Sequence, residues 1–220
     1  MSLKLENISK GFGRKPLLNE VFLEIDNNEI VGLFGRNGTG KSTLLKIIFG
    51  LLKPDSGIIL MDGKYFPCRR IIASGKIAFL PQDSFLPKNR KVREIIPLFF
   101  PNGNDQDQVF YAKGVADFCH KKIGELSLGQ LRYLEVLLIG NLQHPSLLLD
   151  EPFSMIEPVY KEYIQNFILT LKNSKGILLT DHYYLDVLKV SNRNLLLKDQ
   201  GLLPIQNEND LITNRYLTKN

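Results

Sequence analysis

Cysteine and long hydrophobic runs are both scarce in this sequence of 220 residues. The two cysteines, Cys68 and Cys119, stand in no metal-ligand spacing, and so few thiols are typical of a reducing compartment rather than of a disulfide scaffold. No run of about 18 apolar residues occurs, and the N-terminus lacks the apolar stretch of a secretion signal. We therefore expect a cytoplasmic chain that does not span a membrane by itself.

A strong excess of one charge is also missing. The formal net charge is +5, and the densest basic cluster is the short stretch that holds Lys88, Arg90, Lys91 and Arg93. A solvated face or a modest anionic contact explains such a cluster better than a nucleic-acid groove, so we expect no nucleic-acid partner. Internal repeats are lacking, and a hydrophobic fraction of 44% suffices for one sizeable core, with or without a small appended subdomain.

Hydrophobic patterning predicts an α/β fold. The alternating stretches LKLENIS and VFLEID predict half-buried strands near the N-terminus. The continuous apolar runs EIVGLF, KIAFLPQ, SLLLDEP and GILLTDH predict buried strands, and their alternation with helical patterns favours a parallel sheet. NLLLKDQGLLPI predicts a terminal hairpin. Between residues 83 and about 125, prolines and polar patches interrupt the apolar stretches, which indicates an inserted and partly helical subdomain.

A glycine-rich phosphate-binding loop is the firmest motif. GRNGTGKST, residues 35–43, fits G-x-x-x-x-G-K-[ST] and stands between a predicted strand and a predicted helix. Glycines allow successive N–H groups to point at phosphate oxygens, and the helix N-terminus adds its positive dipole. The loop predicts nucleotide binding by Gly35, Asn37, Gly38, Gly40, Lys41, Ser42 and Thr43, with the Lys41 ammonium on the phosphates and the Ser42 hydroxyl on Mg²⁺.

Polar side chains follow three of the predicted strands. Asp150 and Glu151 end LLLDE, a position where α/β sheets bind ligands; Asp150 fits an acid that supports Mg²⁺, which leaves Glu151 to orient or deprotonate a water. His182 follows ILLTD at the same predicted edge and is a candidate γ-phosphate contact, although a lone histidine is more often structural. Gln82 closes another strand and could complete the Mg²⁺ shell or contact the attacking water.

One helix start contains an unexpected glycine. In LSLGQ, Ser127 predicts an N-cap and Gln130 its capping-box partner, yet Gly129 falls in the first turn, where glycine weakens a helix. Because glycine permits close approach to the backbone, this turn is a candidate anion site.

Taken in order, these motifs resemble those of the ATP-binding-cassette (ABC) ATPases. The phosphate loop corresponds to Walker A, LPQD to the Q-loop, LSLGQ to the signature, LLLDEP to Walker B and TDH to the switch histidine. The resemblance places Phe12 where the family stacks an aromatic on adenine. It implies one ATPase domain over residues 1–220: a P-loop NTPase core with a parallel sheet, an N-terminal antiparallel β region, and an inserted α-helical subdomain at about 83–142.

The resemblance also implies partners and cofactors. The family binds ATP and Mg²⁺ and forms a head-to-tail dimer, here a homodimer or a heterodimer, in which Ser127, Gly129 and Gln130 of one subunit contact the ATP held by the other. ATP-driven closure would power transport through membrane-spanning permease subunits, with this chain peripheral on the cytoplasmic face of the membrane. Permeases would dock beside the Q-loop. A soluble cassette ATPase with an assembly or regulatory role, such as iron–sulfur assembly, and a binding module with little hydrolysis are the alternatives.

Some motifs indicate a subfamily, and two residues depart from the family pattern. DEPFSMIEP and LLTDH are similar to the lipopolysaccharide-export ATPases, and DEPFSMIEP also to the branched-chain-amino-acid-import ATPases. Leu128 replaces the first signature glycine, and Glu157 replaces an aspartate after Walker B. Lys41 and the three residues Asp150, Glu151 and His182 are all present, so we expect an active hydrolase.

Overall fold

The computed structural model describes residues 1–217. The strands are β1 (Leu3–Phe12), β2 (Lys15–Ile25), β3 (Ile30–Phe34), β4 (Ser56–Met61), β5 (Lys64–Tyr65), β6 (Ile77–Leu80), β7 (Ser146–Asp150), β8 (Gly176–Thr180), β9 (Arg193–Lys198) and β10 (Gly201–Ile205). The helices are α1 (Lys41–Phe49), α2 (Cys68–Ile71), α3 (Val92–Phe99), α4 (Gly103–Phe110), α5 (Leu128–Gly140), α6 (Pro158–Leu171), α7 (Tyr184–Val190) and α8 (Glu208–Thr213).

Two sheets form the framework. The smaller sheet has the order β2-β1-β4-β5 and is antiparallel throughout. The larger has the order β10-β9-β3-β8-β7-β6, in which all neighbours pair in parallel except the β9–β10 hairpin. The predicted antiparallel N-terminal region, the parallel core and the terminal hairpin are therefore confirmed.

The larger sheet is buried on both faces, which explains its continuous apolar strands. Leu147 and Leu149 point into a core cluster shared with α5 and α6, whereas Leu148 points into a second cluster shared with α1 and the smaller sheet. Successive side chains of a strand alternate between faces, so a strand covered on both sides needs apolar residues at every position. Helix α1 thus lies between the two sheets, and the phosphate loop at its start lies between them too.

The helical segment between β6 and β7 joins neighbouring parallel strands. It contains α3, α4 and α5, and its apolar side chains pack onto the same core cluster as α6. This segment has the partly helical character that its interrupted apolar pattern predicts. It begins at Pro81 and Gln82, directly after β6, and α5 returns the chain to β7.

No helix among residues 1–217 is long and apolar enough to cross a membrane.

A bulge bends the antiparallel pairing of β1 with β4. The register shifts between Glu6 and Ser9, where Asn7 takes a φ of 54° and Gly57, on β4, a φ of 95°. A Cβ at Gly57 would lie 2.5 Å from the carbonyl oxygen of Asn7. Glycine at this position therefore meets two needs, since it allows the positive φ and the close backbone contact.

We predict that Gly57→Ala destabilises the fold by about 1–3 kcal/mol more than Gly63→Ala, because overpacking against backbone adds to the shared conformational strain. Gly63 is the matched control, with a φ of 72° and no atom within 4 Å of a Cβ built there. Urea unfolding of both variants and the wild type measures the difference in the free energy of unfolding. Equal losses would contradict the proposed backbone clash.

Candidate functional site

The phosphate loop wraps around the Lys41 side chain. Lys41 Nζ donates to the carbonyl oxygens of Gly35, at 2.7 Å, and Arg36, at 3.3 Å. Gly38 and Gly40 take φ values of 77° and 110°, which glycine adopts without steric strain and which turn the loop back onto the N-terminus of α1. Burial lowers the pKa of the Lys41 ammonium, and the nearby Glu151 and Asp150 carboxylates oppose that shift.

Asp150 is the last residue of β7 and faces the start of α1. Its Oδ1 accepts a hydrogen bond of 3.2 Å from the Ser42 hydroxyl. The side chain is buried, and this desolvation raises the pKa of the Asp150 carboxyl, partly countered by the Ser42 hydrogen bond. The structure thus brings together a hydroxyl and a carboxylate that the chain separates by about a hundred positions.

The Glu151 carboxylate is held between Gln82 and His182. Gln82 Nε2 donates to Glu151 Oε2 at 3.1 Å, and His182 Nε2 lies 2.8 Å from Glu151 Oε1. The backbone of Glu151 has a φ of 56°, and its N–H donates to the Thr180 carbonyl oxygen at 2.8 Å. Non-glycine residues seldom adopt a positive φ. In this turn the conformation directs the Glu151 carboxylate toward the ends of β6 and β8.

One cavity of about 310 Å³ joins these groups. Its lining residues come from the phosphate loop, the start of α1, the start of β2 and the turns after β6, β7 and β8: Leu17, Asn37, Gly38, Gly40, Lys41, Ser42, Thr43, Gln82, Glu151 and His182. Three predicted polar groups, Gln82, Glu151 and His182, therefore face Lys41 across a single space. Gly35 and Asp150 stand just behind the lining, where each bonds to a lining residue.

Phe12 lies outside this lining. It ends β1 opposite Lys15, its side chain is 55% exposed, and Lys10 Nζ lies 5.6 Å from the ring centroid. Leu17, on the following strand, contacts the loop: its Cγ is 3.0 Å from a Cβ built at Gly40, and Leu18 Cδ2 is 3.3 Å from the same position. Sequence reasoning did not single out Leu17, because one leucine in an alternating strand carries no signal of its own.

The signature residues also stand apart from the cavity within one chain. Ser127 is the N-cap of α5: its hydroxyl accepts from Gln130 N–H at 3.2 Å, and Gln130 Oε1 accepts from Ser127 N–H at 3.1 Å. The predicted capping box is therefore present. A Cβ built at Gly129 would lie 2.0 Å from Glu157 Oε2 and 2.5 Å from the Tyr160 ring. Gly129 thus has an intrachain packing reason that the sequence did not reveal.

The two departures from the family pattern lie beside each other. Glu157 occupies the space over Gly129, while Leu128 is 62% exposed and points away from the core. Leu128 shares the rim of a neighbouring cleft with Gln82, Glu151 and the exposed Met155.

Arg132 is a site residue that sequence reasoning missed. Its guanidinium is buried in α5 and donates to the backbone carbonyl oxygens of Pro81, at 2.8 Å, of Glu151, at 3.1 Å, and of Asp150. It also bonds Glu135 at 3.3 Å. The sequence does offer one signal for this residue: Arg132 and Glu135 stand three positions apart in a predominantly apolar helix. Because such a helix is buried on most sides, a charged pair within it indicates buried ionic contacts.

Asp181 is the second residue missed. It is fully buried and accepts hydrogen bonds from Phe153 N–H at 2.6 Å, the Ser154 hydroxyl at 2.9 Å and Tyr183 N–H at 3.0 Å. Burial raises the pKa of the Asp181 carboxyl, and these three donors oppose the shift. Asp181 therefore links the turn at Phe153 and Ser154, after Glu151, to the turn that contains His182.

The donor set fits a magnesium nucleotide. The Lys41 ammonium bonds only to neutral carbonyl oxygens within residues 1–217, so phosphate oxygens would supply the counter-charge that this buried cation needs. Hydroxyl and carboxylate oxygens, as on Ser42 and Asp150, are the ligands that Mg²⁺ prefers.

Comparison with known proteins agrees with this geometry. The ABC transporter family model matches residues 18–154, more than half of the chain. A probable sulfate/thiosulfate import ATP-binding protein of Chlorella vulgaris is 31% identical, with 99% of this chain and 98% of that protein covered. The lipopolysaccharide export system ATP-binding protein LptB of Haemophilus influenzae is 29% identical, with coverages of 87% and 84%.

A solved nucleotide-free ATP-binding cassette from an ABC transporter shares the fold. It superimposes with a TM-score of 0.83 at 22% identity, covering 99% of this chain and 96% of that one. The phosphate loop, the acidic end of β7 and the signature turn of α5 thus stand in a chain that matches this family in sequence and in fold. The chain belongs to the ABC transporter family and is an ATPase domain of that family.

Proposed function

We propose that this chain hydrolyses ATP with Mg²⁺ and powers transport through separate membrane-spanning subunits. The observation that carries this proposal is the Glu151 carboxylate, held by Gln82 and His182 across one cavity from Lys41. A carboxylate fixed opposite a phosphate-binding lysine is placed to activate a water for attack on a terminal phosphate. The sequence relatives named for import and export are ATP-binding proteins of transport systems, which supports the transport role.

Different residues of the site would bind the phosphates, activate the water, hold Mg²⁺ and contact adenine. Lys41 and the phosphate-loop N–H groups hold the phosphates, and Glu151 accepts a proton as the water oxygen bonds to the γ-phosphorus and the bond to the ADP oxygen breaks. His182 contacts the γ-phosphate from the β8 side. Ser42, Asp150 and Gln82 would hold Mg²⁺, which supplies charge neutralisation on the phosphate oxygens when bound. Phe12, exposed at the end of β1, would stack on adenine.

The second half of each site would come from another copy. Ser127, Gly129 and Gln130 lie outside the cavity of their own chain, and the N-terminus of α5 is suited to an anion. We therefore propose a head-to-tail dimer, either of two copies or with a second ATPase subunit, in which each α5 N-terminus meets the partner's ATP. Residues from about 83 to 142 form the proposed helical subdomain. Membrane-spanning subunits would dock beside the Q-loop, in the insertion at 83–125, at the cytoplasmic face of the membrane.

Replacing Glu151 by Gln should lower the ATP turnover number by about 10²–10⁴-fold, because the amide cannot accept the proton from water. ATP turnover by the purified chain, with Mg²⁺ and saturating ATP, measures the effect. Glu162→Gln is the matched control, since Glu162 is exposed on α6 and lies outside the cavity lining. Equal rates in the wild type and Glu151→Gln would remove Glu151 from the catalytic role.

The Glu151→Gln variant should also form a stable dimer with ATP and Mg²⁺, because slow hydrolysis preserves the closed state. Light scattering should then give twice the chain mass of 25.1 kDa, against the monomer mass without nucleotide. Adding Lys41→Ala to the variant should abolish the ATP-dependent dimer, since the phosphates lose their cation. A monomer under every nucleotide condition, also with the membrane subunits present, would contradict the composite site.

A further inference from the structure

The guanidinium of Arg132 joins three parts of the chain at one buried point. It is 7% exposed and belongs to α5, five residues after the N-cap Ser127. Its Nη1 donates to the Pro81 carbonyl oxygen at 2.8 Å, and its Nη2 donates to the carbonyl oxygens of Asp150 and Glu151, the latter at 3.1 Å. A planar fork with donors in fixed directions can hold such separate acceptors in one arrangement, which an ammonium cannot do equally well.

Each of these carbonyl groups lies next to a group of the hydrolytic site. Pro81 directly precedes Gln82, and the Glu151 carbonyl belongs to the residue whose carboxylate Gln82 and His182 hold. Arg132 therefore bonds the backbone after β6 to the backbone at the end of β7, beside the bond of 3.1 Å between Gln82 and Glu151. No part of the Arg132 side chain lines the cavity itself.

The same residue is rigidly connected to the signature turn. Ser127 caps α5 and Gln130 closes the capping box, so the first turn and Arg132 belong to one hydrogen-bonded helix. The guanidinium therefore connects this helix start to the carbonyl groups of Pro81, which precedes Gln82, and of Asp150 and Glu151.

We propose that Arg132 is a positioning residue for hydrolysis, which couples the signature turn of α5 to Gln82 and Glu151 of the same chain. The inference rests on the proposed function: when the partner's ATP engages the signature turn, Arg132 brings that chain's own Gln82 and Glu151 into their working arrangement. The two ATP sites of the dimer are thereby linked through one side chain in each subunit.

A purely structural role is the competing explanation, because Arg132 also pairs with the buried Glu135. Glu135 is 1% exposed, and its Oε1 has no hydrogen-bond partner among the described residues. Removing Arg132 alone would leave a buried carboxylate without its cation, which is destabilising by itself. The test therefore has to remove the bonds to the carbonyl groups without leaving an unpaired charge.

The double variant Arg132→Met/Glu135→Leu meets that requirement, since both charges are replaced by apolar side chains of similar size. We expect a folded protein in urea unfolding, less stable than the wild type because the Pro81, Asp150 and Glu151 carbonyl groups lose their donor. We also expect a KM for ATP within about threefold and a turnover number lowered by about 10²-fold, the effect of a misplaced catalytic group. Arg132→Lys, which keeps the charge beside Glu135 but loses the fork, should show an intermediate turnover number at the same KM.

Arg193→Met is the matched control. Arg193 likewise joins a carboxylate and a backbone carbonyl, because it bonds Glu29 and the Glu24 carbonyl oxygen, but it lies on β9 away from the cavity. Its turnover number should equal that of the wild type.

Three outcomes would overturn the inference while the proposed function stands. An unchanged turnover number in a folded Arg132→Met/Glu135→Leu protein, or a KM and turnover number that change together, refutes a positioning role. Failure of both Arg132 variants to fold makes Arg132 a structural residue. In each of these cases the wild type still hydrolyses ATP, whereas absence of turnover in the wild type overturns the proposed function and this inference with it.

Discussion

Parallel pairing of β3, β8, β7 and β6 places the ends of four strands at one edge of the larger sheet, and the site is built on that edge. Asp150 pairs with Thr180 across β7 and β8, and Leu80 with Leu149 across β6 and β7. The first two residues after each of these three strands therefore emerge at a similar level, and Gln82, Glu151 and His182 meet without any long loop. Side chains far apart in the chain converge because parallel strands all end on one side.

Burial at this edge gives the site its electrostatic character. Desolvation raises the pKa of the Asp150 and Asp181 carboxyls and lowers the pKa of the Lys41 ammonium, so each group is held in an environment that opposes its charged form. Hydrogen bonds from the backbone and from hydroxyls offset part of this penalty for the two acids. Lys41 relies on carbonyl oxygens, an arrangement that leaves its charge available for phosphates.

Sequence patterns predicted the framework because they report local physics. Apolar runs identified the buried strands, the glycine pattern identified the phosphate loop, and Ser127 with Gln130 identified the start of α5. The roles of Gly129 and Arg132 needed tertiary contacts. Gly129 was singled out for close approach to the start of α5, and the structure adds that Glu157 and Tyr160 lie where its Cβ would be. Arg132 was not among the predicted site residues, yet it bonds to three carbonyl groups from two strand ends.

The sequence by itself thus determined the α/β order of elements, the phosphate loop, and which polar residues follow strands, because spacing and hydrophobic periodicity are properties of the chain. Only the tertiary structure decided that Gln82 and His182 bond to the two oxygens of Glu151 and that Phe12 lies outside the cavity while Leu17 contacts the loop. It also decided that one arginine bonds α5 to the backbone beside Gln82 and Glu151. Those contacts depend on strand register and helix placement, which arise when the two cores are packed and which no short stretch of sequence encodes.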